Sequence, residues 1–335
     1  MNISIKSALY LSLALLLSGC GASLELSDYT KANLKNTQYM PTPSEVEIKK
    51  PKIIVMSLNN NNIKLAQNAK LGSSMATRVK TLFSRSKSVE VVQRANSKVS
   101  EDQISKEVEA AELSRELQTD VGSADFLIKG ELSNASYTHT FSEGYYYDYK
   151  DSKGKVRTAY VPPRMYYESC VMGNLQVLSL PELKEQDSFS FYRCARNSTE
   201  VRNSRDVKRD PALLREAGTR AIDTLTIKLK NFFSTKGYIY EMRNNDDDLI
   251  VKTTFGREHG AMKGEDVDIF TIIDDTNPLT KKTQRVTMKI GEGVVSDQIT
   301  GKYSWVIVDE LNEQNTIKAG DFVKAKYSSG FFNLF

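Results

Sequence analysis

Apolar and polar positions follow several different rhythms along this chain. The first is a run from Ala8 to Leu17, broken mainly by Ser12 and preceded by Lys6. It is shorter than the ~20 residues of a membrane-spanning helix and fits the apolar core of an export signal. Residues 21–50 are polar, carry Pro41 and Pro43, and lead into Pro51, which predicts a flexible tether. The folded body then opens at Lys52-Ile53-Ile54-Val55-Met56-Ser57-Leu58, a mostly apolar run that predicts a buried strand ended by Asn59 to Asn62.

Helical and strand spacing alternate from there. Leu71, Met75, Val79 and Leu82, with Phe83, form one helical stripe, and Val89 to Val92 form a short strand. Ser100 and Gln103 have the spacing of a capping box before a helix striped by Ile104, Val108 and Ala111 and extended by Leu113 and Leu117. Phe126-Leu127-Ile128 is the next strand, with Gly130 leaving room for close packing. Strand, helix, strand, helix, strand predicts helices layered on a sheet.

The rhythm changes at Asn134. Residues 134–200 hold strand formers, many of them tyrosine, and Pro162-Pro163 interrupt them. Gly173 to Leu180 and Ser188 to Arg193 read as a hairpin turning near Pro181. Asp210-Pro211 is a helix start, and Leu214, Ala217, Ala221, Leu225, Leu229 and Phe232 stripe a long helix that Gly237 is expected to cap. Residues 238–327 carry short strands between Gly and Asp turns: Leu249–Val251, Val267–Thr271, Gly291–Val295, Trp305–Val308 and Asp321–Lys326. That spacing predicts a small barrel or sandwich. The apolar tail 330–335 is expected to pack back on it.

The expected organisation is therefore a signal peptide at 1–20, a tether at 21–50, an α/β domain at 51–237 and a small β-barrel domain at 238–335. The fold class is mixed α+β and α/β: a mixed sheet with helices, followed by a small all-β barrel.

Composition adds little to the fold. Of 335 residues, 40% are hydrophobic and 26% charged, ordinary for a folded domain, and the net charge of +4 does not argue for nucleic acid. The three cysteines are Cys20, Cys170 and Cys194. Cys170 and Cys194 lie near the two open ends of the predicted hairpin, with the turn about midway between them. Cross-strand pairing sets them opposite each other and favours a disulfide. Two cysteines with no histidine nearby in sequence are too few for a zinc site.

Leu17-Ser18-Gly19-Cys20, placed after its apolar run, resembles the bacterial lipobox. The resemblance implies a signal peptide, lipid (palmitate) on Cys20 and a mature chain held at a membrane outside the cytoplasm. In enteric-type bacteria an Asp after the cysteine marks inner-membrane retention. Gly21 stands there instead, which implies the periplasmic face of the outer membrane. In that oxidising compartment a disulfide persists, and nucleic acid is not an expected partner.

Two further resemblances rest on internal motifs. The opening strand Ile53 to Leu58, the segment Ala124-Asp125-Phe126-Leu127-Ile128-Lys129-Gly130-Glu131-Leu132, the paired strands around Val177 and the helix from Pro211 resemble the periplasmic domain of the curli-secretion lipoprotein family (CsgG/HfaB), whose fold is similar to the amino-terminal domain of the TolB family. The run Phe255-Gly256-Arg257-Glu258-His259-Gly260-Ala261-Met262-Lys263-Gly264-Glu265-Asp266-Val267, with a second Gly-Asp at Gly320-Asp321, is similar to the carboxyl-terminal domain of the flagellar assembly protein T family. Together they imply a homo-oligomeric component of envelope assembly or secretion. In the curli family, hairpins from each subunit join in a transmembrane barrel. Here residues 134–169 carry Glu143, Asp148, Lys150, Asp151, Lys153, Lys155 and Arg157, which suits no lipid-facing strand, so this chain is not expected to form the pore itself.

No catalytic motif emerges, and the chain reads as a non-enzyme without cofactor or metal. Asp246-Asp247-Asp248 lacks the frame of a calcium loop, and His259 sits in a tight turn. Tyr145, Tyr146, Tyr147, Tyr149, Tyr160, Tyr166 and Tyr167 are candidates for a partner interface, since each ring offers apolar area with a polar tip. An edge hairpin packed on its own domain accounts for them equally well. Arg193, Arg196, Arg202, Arg205 and Arg209, with Lys208, are candidates for contact with anionic groups; a solvated basic face is the commoner case. The expected function is an outer-membrane-anchored, non-enzymatic assembly or secretion component. The alternative is a monomeric tethered module that regulates an envelope enzyme or complex.

Overall fold

A computed structural model describes residues 23–47, 49–84, 86, 88–93, 101–117, 123–245, 248–312 and 316–328. Cys20, Ser100, Asp246, Asp247 and the tail 330–335 lie outside the described residues. The early part of the chain holds β1 (Thr30–Lys31), α1 (Pro43–Val46), β2 (Lys52–Val55), α2 (Lys64–Asn68), α3 (Leu71–Ser84), β3 (Glu90–Val91) and α4 (Glu101–Glu116). The middle holds β4 (Phe126–Ser142), β5 (Tyr145–Lys150), β6 (Val156–Val161), β7 (Arg164–Ser179), β8 (Glu185–Glu200), α5 (Pro211–Asp223) and α6 (Thr226–Phe232). The last third holds strands and one short 3-10 turn (Arg257–His259): β9 (Lys236–Asn244), β10 (Leu249–Thr253), β11 (Asp266–Thr276), β12 (Thr283–Ile299), β13 (Ser304–Leu311) and β14 (Phe322–Ala325). The chain divides into two compact units, one of residues 51–229 and one of residues up to 50 together with 230–335.

The unit of residues 51–229 is a mixed five-stranded sheet in the order β3-β2-β4-β7-β8. β3, β2 and β4 run parallel, as strands joined through helices do, and β4, β7 and β8 run antiparallel. Leu71, Met75, Val79 and Phe83 of α3 are buried, as their spacing predicts, and Leu82, placed in the same stripe, is half-buried. Gly218 of α5 lies directly against the side chains of Leu71 and Met75, which would have to shift to admit a Cβ there. On α4 the stripe Ile104, Val108 and Ala111 packs with Ile54, Met56, Leu127, Leu178 and Leu180. Leu113 and Leu117 do not extend it: both are exposed.

The predicted long helix from Pro211 is two helices. Asp210 caps α5 by accepting from the Ala212 amide at 2.8 Å, as expected. At its other end the Thr224 hydroxyl donates to the Ala221 carbonyl at 2.7 Å, taking an acceptor from the helix, and α6 starts afresh at Thr226. Gly237 is no helix cap. It lies in β9, pressed against the backbone and Cβ of Phe255, where only a missing side chain fits.

The other unit contains a six-stranded antiparallel barrel in the order β9-β10-β13-β12-β11-β14, closed by β14 on β9 through Tyr238 opposite Phe322 and Gly237 opposite Val323. Closure removes the exposed edges a sandwich would leave. Ile239, Val251, Phe255, Val267, Ile269, Ile290, Val295, Val306 and Val323 fill its core. The sequence-predicted strands appear at their places; β9, with its short Gly237/Ile239 alternation, adds one that the pattern did not show.

The tether expected at 21–50 is fastened at points between Leu24 and Thr37, while residues 42–47, 49 and 50 are exposed. Leu24 is buried with Ile250 and Trp305, its amide donating to Asp297 Oδ1 at 3.0 Å. β1 pairs with the end of β9, and Thr37 and Lys35 exchange backbone hydrogen bonds of 2.8 Å with Ala319. The physical reason is that backbone groups join a strand whatever their side chains are, and scattered Leu24, Leu26 and Tyr29 suffice to cover Trp305. Among the described residues, no helix is long and apolar enough to cross a membrane.

Candidate functional site

β4 and β7 pair from Phe126 opposite Ser179 to Ser142 opposite Arg164, well beyond the usual strand length. Pro162-Pro163 stop this ladder because proline has no N–H to donate. Past them β5 and β6 form a separate two-stranded ribbon, inserted at the far end of the β4–β7 pair. All six residues of β5 are exposed.

Register sorts the ribbon's side chains into two faces. Tyr145, Tyr147 and Tyr149 share one, with ring centroids 6.3 and 6.0 Å apart along the strand. Tyr146 and Tyr160 are directly opposite on the other, centroids 4.8 Å apart. Tyr146 is 73% exposed. The far turn is built on Asp151. Its carboxylate accepts from the Lys153 amide at 3.0 Å, the Lys155 amide at 3.1 Å and Arg157 Nε at 2.7 Å. The Arg157 contact, then those amides, hold its carboxyl below the usual carboxylate range.

Not every predicted tyrosine joins this surface. Tyr166 is exposed on β7, outside the ribbon. Tyr167 is 6% exposed; its hydroxyl accepts from the Lys208 amide at 3.1 Å, and its ring lies 5.9 Å from that of Tyr137. Period 2 separates the neighbours: Tyr166 and Tyr167 point to opposite faces of β7, and one of those faces is the core.

The predicted arginine cluster does not converge. Arg193 and Arg196 of β8 have opposite strand parity and so lie on opposite faces. Arg196 is held by Glu168 across the strand, Nε to Oε1 at 2.5 Å. Arg202, Arg205 and Arg209 are exposed in the loop between β8 and α5. Nothing on the described surface gathers these five into one anion site.

Cys170 and Cys194 form the expected disulfide, with sulfurs 2.03 Å apart. Glu168 lies with them in a group of metal-ligand type, but bonded sulfurs offer no thiolate. His259 ends a short 3-10 turn: its Nδ1 accepts from the Gly256 amide at 3.3 Å, and Gly260 follows at φ 100°. Burial lowers the pKa of its imidazole.

One titratable group escaped sequence reasoning. Glu265 is 2% exposed, and burial lifts its carboxyl to about 7. Its Oε2 accepts from the Met262 amide at 3.2 Å, and Lys230 and Tyr327 surround it. Its only sequence signal was a carboxylate in the apolar-flanked turn Gly264-Glu265-Asp266. The half-buried carboxylates Asp268 and Glu292 share Lys289 and Lys326 in an ion-pair network.

No protein-family model matches this sequence, and no curated protein matches it. Among the described residues, the tyrosine ribbon is the feature best suited to meet another molecule. It carries aromatic area with hydroxyls at the rim, the composition of protein-binding surfaces.

Proposed function

We propose that this chain is a non-enzymatic component of envelope assembly or secretion that binds a partner protein through the β5–β6 ribbon. In this reading lipid on Cys20 anchors it to the periplasmic face of the outer membrane, and it works as a homo-oligomer. The observation that carries the reading is the ribbon itself. A lone two-stranded ribbon is marginal in water, because neither face is covered. This one spends Tyr145, Tyr146, Tyr147, Tyr149 and Tyr160 on surface that contributes to no core. Such a surface contributes once another protein covers it. The lipobox resemblance supports the anchor, and the resemblance to the curli-secretion and flagellar assembly families supports the assembly role.

The test is capture of envelope proteins by the full lipidated chain in mild detergent. Tyr145→Ala/Tyr147→Ala/Tyr149→Ala is expected to lose the captured partner while keeping its thermal unfolding transition. Unchanged capture removes the ribbon as the interface. The ribbon equally supports a monomeric tethered regulator, and the mass of the extracted protein separates the two readings: a monomer selects the regulator.

A further inference from the structure

The sheet of residues 51–229 ends in β8, which pairs with β7 on one side only. Cys170 and Cys194 are directly opposite in that ladder, Cα atoms 4.0 Å apart. So narrow a spacing marks a pair that exchanges no hydrogen bonds, whose N–H and C=O groups point away from one another. The backbone groups of Cys194 therefore face the open side, and so do those of Ser190, Tyr192 and Arg196. At both ends of this stretch the equivalent amides are capped locally. Ser188 N–H donates to Asp187 Oδ1, and Ser198 N–H donates to Asn197 Oδ1, both at 2.7 Å. Between the caps, no hydrogen bond outside the β7–β8 ladder involves the backbone of Ser190, Tyr192, Cys194 or Arg196 among the described residues.

Edges of this kind are normally blunted by proline, charged side chains (lysine above all), a bulge or sheer shortness. The charges over residues 188–200 are Arg193, Arg196 and Glu200, and Glu168 neutralises Arg196. β8 is 16 residues long, about 50 Å. Its stretch 188–200 contains no proline, glycine or lysine, and the only register shift lies at Val177/Leu178, beside the start of β8. Such an edge is a template for another strand.

We propose that β8 of one copy pairs antiparallel with β8 of a second copy, about a two-fold axis at Cys194, joining two five-stranded sheets into one. The strand is self-complementary about that axis. Tyr192 stands opposite Arg196 of the second copy, twice by symmetry, which sets a guanidinium against a ring. Ser190 stands opposite Ser198, where the capped Ser198 amide ends the new ladder, and Arg193 meets Ala195. Moving the axis to Arg193 or to Arg196 places arginine directly against arginine, which is unfavourable across strands. The inference rests on the homo-oligomeric part of the proposed function and gives it a surface.

The test uses the full lipidated chain carrying Ser190→Cys/Ser198→Cys, oxidised mildly and mapped by peptide mass spectrometry. Paired outward residues would lie about 5.5 Å apart at Cα, a span a disulfide bridges. The expected result is a covalent dimer joined between positions 190 and 198. Tyr192→Pro removes one outward N–H and spares the β7 ladder; it is expected to weaken the dimer at least about tenfold with an unchanged far-ultraviolet spectrum. If that variant misfolds, the cysteine pair alone decides. An oligomer with no 190–198 link overturns the β8 pairing and leaves the proposed function standing. A monomer for the unsubstituted chain overturns both the pairing and the homo-oligomeric reading, while partner capture by the ribbon is read separately.

Discussion

Cys170 and Cys194 face each other across β7 and β8, their sulfurs bonded and the Tyr192 hydroxyl 3.2 Å from the Cys194 sulfur. The bridge ties two neighbouring strands near the middle of the β7–β8 ladder. It closes a loop with a sequence separation of 24 residues. Breaking it with Cys170→Ser/Cys194→Ser is expected to cost about 3 kcal/mol, mostly by freeing the unfolded chain. Urea unfolding with and without reductant measures this. Equal midpoints in both conditions would refute a stabilising bridge, and thiol labelling of the native protein should leave both residues unreacted.

The ribbon offers a local test of its own. Tyr146 and Tyr160 form its one cross-strand aromatic pair, and Asp151 knots its turn. Tyr160→Ala is expected to loosen the ribbon by about 1 kcal/mol. Amide exchange should rise over 145–161 and stay unchanged in β4 and β7. A uniform rise through the sheet would mean that the ribbon is not an independent unit.

Leu24 separates a packed segment from a loose one. It is buried against Trp305 and Ile250, so Leu24→Ala should cost about 2 kcal/mol or more. Thermal unfolding followed by Trp305 fluorescence reads this directly, since the chain has one tryptophan. No change in the transition would return residues 23–47 to the role of a tether.

Glu265 gives the barrel unit a pH dependence. Its folded pKa, about 7, is raised above the ordinary 4.5, mainly by burial. The stability this group contributes is complete below pH 4.5 and is lost as the pH rises through 7, where a charge must be held in the interior. The net loss amounts to about 3 kcal/mol over that window, after the Met262 amide, Tyr327 and Lys230 have lowered the cost of the charge. Glu265→Gln is expected to flatten stability between pH 5 and about 8. A variant whose stability falls as steeply as that of the parent chain assigns the dependence to another group.

The sequence by itself determined the elements whose burial has a period. The α3 stripe from Leu71 to Phe83 and the barrel strands from Leu249 onward were legible because one face buried and one face wet writes its period into the residues, the strand at Ile53 as an unbroken apolar run, and the helix start at Asp210-Pro211 from its cap chemistry. The disulfide was legible too, since hairpin symmetry alone sets Cys170 opposite Cys194.

Tertiary structure decided what has no period. Residues 30–37 join the barrel through backbone hydrogen bonds, and backbone groups are the same for every residue. Gly237 moved from a helix end to the barrel seam because the close approach of Phe255 lies in space and not in sequence. Tyr167 is buried and Tyr166 is not, since the face of β7 that each takes depends on which side the core occupies. The ribbon's exposure and the open edge of β8 are likewise absences of neighbours, and a missing neighbour leaves no mark in the sequence.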